Sequence, residues 1–255
     1  MPLTVLTVPC LADNYAFLIA DPTTGEAALV DVPEAKPINA ALAENGWHLT
    51  TVLITHHHAD HVHGLEDLEG AKSATVIGAA DDAHRLPPLT KEVKDGDHFT
   101  LLGETVEVMD VSGHTVGHVA YYMPGIGHVF TADSLMAMGC GRLFEGTAAQ
   151  MWTSLQKLRA LPDETVVCSG HEYTEANAKF ALTVDPDNPG LMSRQDAIVA
   201  ARQQNAPTVP SLLRDEKQTN PFLRPDDPGI RAHLGMQTAE DAAVFAEIRA
   251  RKDRF

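Results

Sequence analysis

Val52-Leu53-Ile54-Thr55-His56-His57-His58-Ala59-Asp60-His61 is an apolar run that breaks into four imidazoles and a carboxylate. The run has the length and character of a buried strand, so the polar residues fall where that strand ends. Such a cluster makes a poor core and a good set of metal ligands. His56 and His58 are two apart and point the same way on an extended backbone, while Asp60 and His61 fan out on the other side of the following turn. One loop can therefore serve two ions. A closed structural zinc site is rich in cysteine, whereas nitrogen and oxygen donors favour a site that keeps water as a ligand.

The rest of the chain sets the frame for this loop. At 255 residues and 44% hydrophobic content, it is long enough for one large domain with an appendage and a substantial core. No run approaches the ~18 apolar residues of a membrane span, and Met1-Pro2-Leu3-Thr4 lacks the basic start of a signal peptide. The expectation is a cytoplasmic protein with no membrane partner. Cys10, Cys140 and Cys168 are odd in number and far apart, which predicts free thiols. A formal charge of −16 excludes nucleic acid as partner, because phosphate backbones demand a basic surface. Bound divalent cations would offset part of that charge.

Short β-type runs dominate the first two-thirds: Leu3–Val8, Asn14–Ile19, Ala27–Val30, Thr51–Ile54, Thr75–Gly78, Thr105–Asp110, Val119–Met123, Val129–Ala132 and Thr165–Cys168. Pro37–Glu44 and Gln150–Leu161 carry apolar residues at helical spacing. This alternation predicts a layered α/β fold with mixed sheets. After His171, the stretches Glu175–Val184, Leu191–Gln204 and Thr238–Arg251 read as helices, joined by proline-bearing linkers. The predicted division is therefore a domain over 1–171 and a helical domain over 172–255.

Further ligands must come from outside the cluster. Candidates are His114 in Ser-Gly-His-Thr-Val-Gly-His, Asp133 in Phe-Thr-Ala-Asp-Ser and His171 in Cys-Ser-Gly-His-Glu-Tyr, each just beyond a predicted strand. Taken singly, each His reads as a hydrogen-bonded structural residue and Asp133 as a turn residue. The cluster changes that reading, because each then completes a donor set.

His-x-His-x-Asp-His followed by separate His, Asp and His positions resembles the metallo-β-lactamase superfamily, and the resemblance spans roughly residues 1–171. It implies two mixed sheets packed face to face between layers of helices, the four-layer αββα sandwich. Carried over by position, it implies that His56, His58 and His114 bind one divalent ion and Asp60, His61 and His171 a second. Asp133 would bridge both together with a hydroxide. Zinc is the default metal, with iron and manganese compatible with the same donors.

Beyond the cluster, Gly141-Arg142-Leu143-Phe144-Glu145-Gly146-Thr147, Gly170-His171-Glu172-Tyr173-Thr174, Asn220-Pro221-Phe222-Leu223-Arg224 and Arg249-x-x-Lys252-Asp253 closely resemble the glyoxalase II (hydroxyacylglutathione hydrolase) family from end to end. The resemblance implies hydrolysis of S-D-lactoylglutathione to D-lactate and glutathione, the second step of methylglyoxal disposal. Chemistry agrees. Two ions about 3.5–4 Å apart bring a shared water's pKa from ~15.7 toward neutrality, and a leaving thiolate whose acid has a pKa of ~8.5 needs little help from a general acid. Asp60 can also accept or steer the proton of the attacking group.

The resemblance further implies that Arg249 and Lys252 hold the glycine carboxylate of glutathione, with Tyr173 and Arg142 completing the contacts. A spacing of three places Arg249 and Lys252 on one helical face, although cations near a helix end also complement its dipole. Two positions depart from the family pattern. Arg142 stands where many relatives have lysine, and Phe144 where they have a tyrosine that donates a hydroxyl.

His57 lies between ligands and should point away from the ions, and His118 reads as a loop-organising hydrogen bonder. Alternative readings are another superfamily member, such as a β-lactamase, a one-iron dioxygenase or a nuclease, and a non-catalytic metal-binding protein of the same fold. The acidic charge, the full ligand set and the cationic tail argue against them. A monomer is expected.

Overall fold

Alternating apolar residues turn the start of the chain into a hairpin, in which β1 (Thr4–Cys10) runs antiparallel to β2 (Asn14–Ala20). Every residue of β2 is buried, so it lies inside the sheet and not at its rim. It pairs antiparallel with β3 (Glu26–Val30), after which the pairing turns parallel through β4 (His48–Leu53), β5 (Thr75–Ala79) and β6 (Lys91–Val93). The six-stranded order is β1-β2-β3-β4-β5-β6, a mixed sheet.

Parallel neighbours need a crossover, and α1 (Ala35–Asn45) supplies the one between β3 and β4. Gly46 ends it at φ 67°, a left-handed cap that returns its N–H to the last carbonyls. Ala35, Ile38 and Leu42 are its buried face and join Leu18, Leu29, Val52 and Ile54 in one core.

A second sheet follows as antiparallel strands β7 (His98–Leu101), β8 (Glu104–Asp110), β9 (Val119–Met123) and β10 (His128–Ala132). It packs on the first through Phe17 and Phe130, whose ring centroids lie 5.7 Å apart. The buried Tyr121 hydroxyl donates to the Ile54 carbonyl at 2.8 Å, which satisfies the one polar atom that the ring brings into the core.

The computed structural model describes residues 2–255, which divide into two compact units. The first comprises residues up to Asp110 together with Val116–Thr131 and contains the elements above. The second comprises Val111–Thr115 and Ala132–Phe255. It opens with a small hairpin of β11 (Leu135–Met136) and β12 (Gly139–Cys140). α3 (Ala148–Arg159) follows, capped by the Thr147 hydroxyl accepting from the Gln150 N–H. β13 (Val166–Ser169) pairs antiparallel with β14 (Ser211–Leu212).

The remaining helices of the second unit are α4 (Thr174–Ala181), α5 (Pro189–Gln203), α6 (Leu213–Thr219), α7 (Pro228–Leu234) and α8 (Asp241–Arg254). Phe245 of α8 stacks on Trp152 of α3 at 6.2 Å and meets Phe222 edge-on at 5.8 Å. Met138, Ala178, Ala181, Leu191 and Ile198 form a smaller apolar cluster between the hairpin, α4 and α5.

The sequence-predicted strands and helices are present, with ends displaced by a few residues. β6, β7, β11, β12, β14, α6, α7 and the helical turn Ala59–Val62 match no predicted element. α6 is short and mostly charged, and Pro228, which reads as a break, is instead the first residue of α7, capped by the Asp227 carboxylate. All three cysteines are buried and free, as expected. Among the described residues, no helix is long and apolar enough to cross a membrane.

Candidate metal centre and substrate face

The first unit holds four of the proposed ligands on the segment that leaves β4. Thr55 and His56 continue the strand line, and α2 (Ala59–Val62) turns Asp60 and His61 away from them. The His61 carbonyl accepts from the Val32 N–H at 2.8 Å, which pins this single helical turn to the end of β3. His56 and His61 are fully buried, with ring centroids 4.2 Å apart, and His56 meets His58 edge-on at 4.8 Å.

Asp31 organises the pair. Its Oδ2 accepts from His61 Nδ1 at 2.8 Å and from the Thr55 hydroxyl at 2.8 Å, while Oδ1 accepts from the Thr55 N–H at 2.9 Å. Because the Thr55 hydroxyl donates to Asp31, it accepts from His56 Nδ1 at 3.0 Å. Both imidazoles thus carry their hydrogen on Nδ1 and the lone pair on Nε2, the tautomer that ligates a metal through Nε2. Asp31, His56 and His61 bring ligand-capable atoms within 4.8 Å of one another.

The remaining residues of the loop separate cleanly. Asp60 Oδ2 accepts from the Asn14 amide at 3.1 Å and lies 3.8 Å from His61 Nε2. His57 points elsewhere, as expected, with Nδ1 at 2.9 Å from Asp82 Oδ2. Asp82 also pairs with Arg85, which donates to the Val116 carbonyl at 3.0 Å. Gly117 sits against Asp82 so closely that a Cβ there would lie 2.7 Å from the Asp82 Cβ. That contact brings His118 in beside the cluster, where it stacks on His56 at 4.5 Å and its Nδ1 lies 3.2 Å from the Val119 carbonyl. The loop-organising role expected of His118 fits these contacts.

The second unit holds the other three proposed ligands together. Asp133 Oδ2 lies 3.4 Å from His114 Nε2 and 3.3 Å from His171 Nε2. All three side chains are buried. His114 Nδ1 donates to the Arg142 carbonyl at 2.7 Å, which again leaves the lone pair on Nε2. Gly141 is obligatory here, since a Cβ would fall 2.0 Å from the Asp133 carbonyl oxygen and 2.8 Å from His114 Nδ1. Two imidazoles converging on one carboxylate oxygen, with the His114 ring fixed from behind, fit a divalent cation of the borderline type.

Around these ligands the second unit carries the proposed substrate residues. Tyr173, 39% exposed, stacks on His171 with centroids 4.6 Å apart and planes within 9°. Phe144, 61% exposed, stands edge-on to His114 at 5.3 Å and lies 5.6 Å from the Arg142 guanidinium. Arg142 Nε is 4.0 Å from Asp253 Oδ1.

Arg249 and Lys252 differ sharply. Arg249 is buried, donating to Asp253 Oδ1 at 3.1 and 2.8 Å and to the Cys140 carbonyl at 3.0 Å, with its guanidinium 5.2 Å from the Phe222 ring. Lys252 donates to the Ala176 carbonyl at 3.2 Å and lies 5.2 Å from both the Phe180 and Phe255 rings. Burial, reinforced by the nearby Arg249 charge, pulls its pKa down to about 8. Burial pushes the Cys140 thiol up to about 11, against the Arg249 charge.

Asp31 and Asn14 were missed by the sequence reading. The signal existed for Asp31, because Val30-Asp31 repeats the pattern of Ala132-Asp133, a carboxylate directly after a buried strand. Asp31 also takes a left-handed φ of 58°, unusual for a residue with a side chain.

Residues 13–171 match the family described as the metallo-beta-lactamase superfamily, and residues 172–255 match the family described as hydroxyacylglutathione hydrolase C-terminus. A hydroxyacylglutathione hydrolase of Roseobacter denitrificans is 66% identical over 255 residues, covering all of both chains. One of Ruegeria pomeroyi is 64% identical with the same full coverage. Among solved structures, the BLEG-1 B3 metallo-beta-lactamase aligns with a TM-score of 0.67 at 19% identity, over 87% of this chain and all of the other, a likeness of fold. The chain belongs to the hydroxyacylglutathione hydrolase family of thioester hydrolases, within the metallo-β-lactamase superfamily.

Proposed function

We propose that this chain hydrolyses S-D-lactoylglutathione and related S-2-hydroxyacylglutathione thioesters to the 2-hydroxy acid and glutathione, at a centre of two divalent ions. His56, His58 and His114 would hold one ion, Asp60, His61 and His171 the other, with Asp133 shared between them. The observation that carries the reading is the convergence of His114 Nε2 and His171 Nε2 on Asp133 Oδ2, at 3.4 and 3.3 Å, in a chain whose relatives match it along its full length. When bound, the ions supply a water acidified toward neutral pH and a Lewis acid for the thioester carbonyl. Zinc is the proposed metal, and iron or manganese suits the same donors.

The chain's own groups do the rest. Asp31 and the Arg142 carbonyl fix the His61 and His114 rings, so these donors are in place before substrate arrives. Asp60, oriented by Asn14, holds or steers the proton of the attacking water. The leaving thiolate departs as the anion of an acid of pKa ~8.5 and asks little of a general acid. Tyr173, Arg142, Arg249 and Lys252 would receive the glutathione half, Lys252 as the direct partner of the glycine carboxylate and Arg249 through its charge and its hold on Asp253. Residues 172–255 thus serve as the glutathione-binding helices, joined by Arg142, and residues 1–171 as the catalytic part.

Cytoplasmic residence and a monomeric state belong to the same proposal. Three buried free thiols suit a reducing compartment, and one chain carries every proposed ligand and contact. The test is to load purified protein with zinc, add S-D-lactoylglutathione and follow loss of thioester absorbance. Stoichiometric D-lactate and free glutathione are expected. No turnover by fully metallated protein would overturn the reading.

A further inference from the structure

We propose that Glu216 and Asn220, which come no nearer the reaction than the tip of a hairpin, are positioning residues for the Asp133 end of the metal centre. This rests on the ligand roles proposed above for Asp133 and His114. The hairpin β11–β12 has two residues on each strand, too few to hold a shape alone. Its base nevertheless carries the chemistry. Asp133 precedes it, Gly141 returns to donate to the Ser134 carbonyl at 3.2 Å, and the next carbonyl, of Arg142, fixes the His114 ring. Any rocking of the hairpin moves both proposed ligands.

The tip is clamped by side chains from two helices. Met138 sits at φ 61°, a left-handed conformation that aims its N–H at Glu216 Oε2, 2.8 Å away. Asn220 Nδ2 lies 3.2 Å from the Met136 carbonyl and 2.9 Å from that of Gly139, and also donates to Glu216 Oε2 at 3.1 Å. From α4, the Asn177 amide donates to the Ala137 carbonyl at 3.1 Å. Glu216 and Asn220 are fully buried, and Arg194 pairs with the carboxylate from α5.

A buried carboxylate with its own buried counter-charge is a costly way to stabilise a fold, and apolar packing usually does as well. Its advantage is geometric. One acceptor oxygen meets a backbone N–H that only a left-handed residue presents, and the neighbouring amide takes the carbonyls on both sides. The backbone from Met136 to Gly139 is thereby held in one conformation, which fixes the direction of the strands leading to Asp133 and Arg142.

The test compares zinc-loaded parent, Glu216→Gln, Glu216→Met and Asn177→Ala proteins for the rate of zinc release to excess chelator. The visible spectrum of each cobalt-substituted protein is recorded as well. Glutamine keeps an acceptor for the Met138 N–H, so release within about twofold of the parent is expected. Methionine removes the acceptor, and release about tenfold faster with an altered cobalt spectrum is expected, with KM unchanged and kcat reduced. Asn177→Ala removes one bond to the tip and keeps the buried pair, so it carries the test if Glu216→Met does not fold; release about threefold faster is expected. Parental release rates and spectra in the folded variants would overturn this inference alone. A parent that retains no zinc would overturn the functional reading, and this inference with it.

Discussion

Asp31 receives the Nδ1 hydrogen of His61 at 2.8 Å, from the end of β3 to the helical turn after β4. Through the Thr55 hydroxyl it also governs His56, so one buried carboxylate sets the tautomer of two imidazoles. Replacing such an outer partner typically costs 10–100-fold in metal affinity. Asp31→Ala is expected to weaken zinc binding by about tenfold or more in a chelator competition. Asp31→Asn, which keeps an acceptor oxygen, should lose less. Equal affinity in Asp31→Ala and the parent would remove Asp31 from the account.

Gly141→Ala tests the other half of the donor set. Its Cβ would collide with the Asp133 carbonyl and the His114 ring, so the backbone that aims both must shift. We expect a folded protein with reduced zinc content by elemental analysis and kcat lowered by at least about tenfold. Unchanged zinc content and kcat would show that the ligands do not depend on this close approach.

Lys252 makes substrate binding sensitive to alkali. Below its pKa of about 8 the ammonium is charged and attracts a carboxylate, and as pH rises through that value the charge is lost. Besides burial, the Arg249 charge lowers this pKa further and Cys140 partly offsets it. KM for the glutathione thioester should therefore rise above pH 8. In Lys252→Met, KM should be higher and no longer change through this range. An unaltered pH profile of KM in that variant would contradict the assignment.

Phe144 carries no hydroxyl, and its ring is exposed beside His114 and Arg142. A hydroxyl added there is worth roughly 0.5–1.5 kcal/mol if it reaches the substrate. Phe144→Tyr is expected to lower KM by about two- to tenfold, with kcat preserved. The same KM in both proteins would mean that the edge of this ring faces no part of the substrate.

Much of this is legible in the amino-acid sequence. The run Val52–Ile54 announced a buried strand, the spacing of His56 to His61 announced an open metal site, and residues after His171 announced helices by their period. What escaped was whatever depends on distant partners. Asp31 looks like an ordinary turn residue until β3 and β4 are known to be parallel neighbours. Glu216 looks like part of a solvated charged helix until it is found fully buried against Arg194 and the Met138 N–H. Arg249, expected to face a carboxylate of the substrate, is also buried and donates to the Cys140 carbonyl and Asp253, contacts that helical spacing alone does not reveal.

The central claim is that two ions, held by these seven residues, are needed for thioester hydrolysis. Its most direct test is to titrate metal-free protein with zinc while measuring turnover of S-D-lactoylglutathione and bound zinc in the same samples. Activity is expected to climb to a plateau at two equivalents per chain, and Asp133→Asn, short of its shared carboxylate, to give no comparable plateau. Full activity in metal-free protein, or a plateau at one equivalent, would contradict the claim.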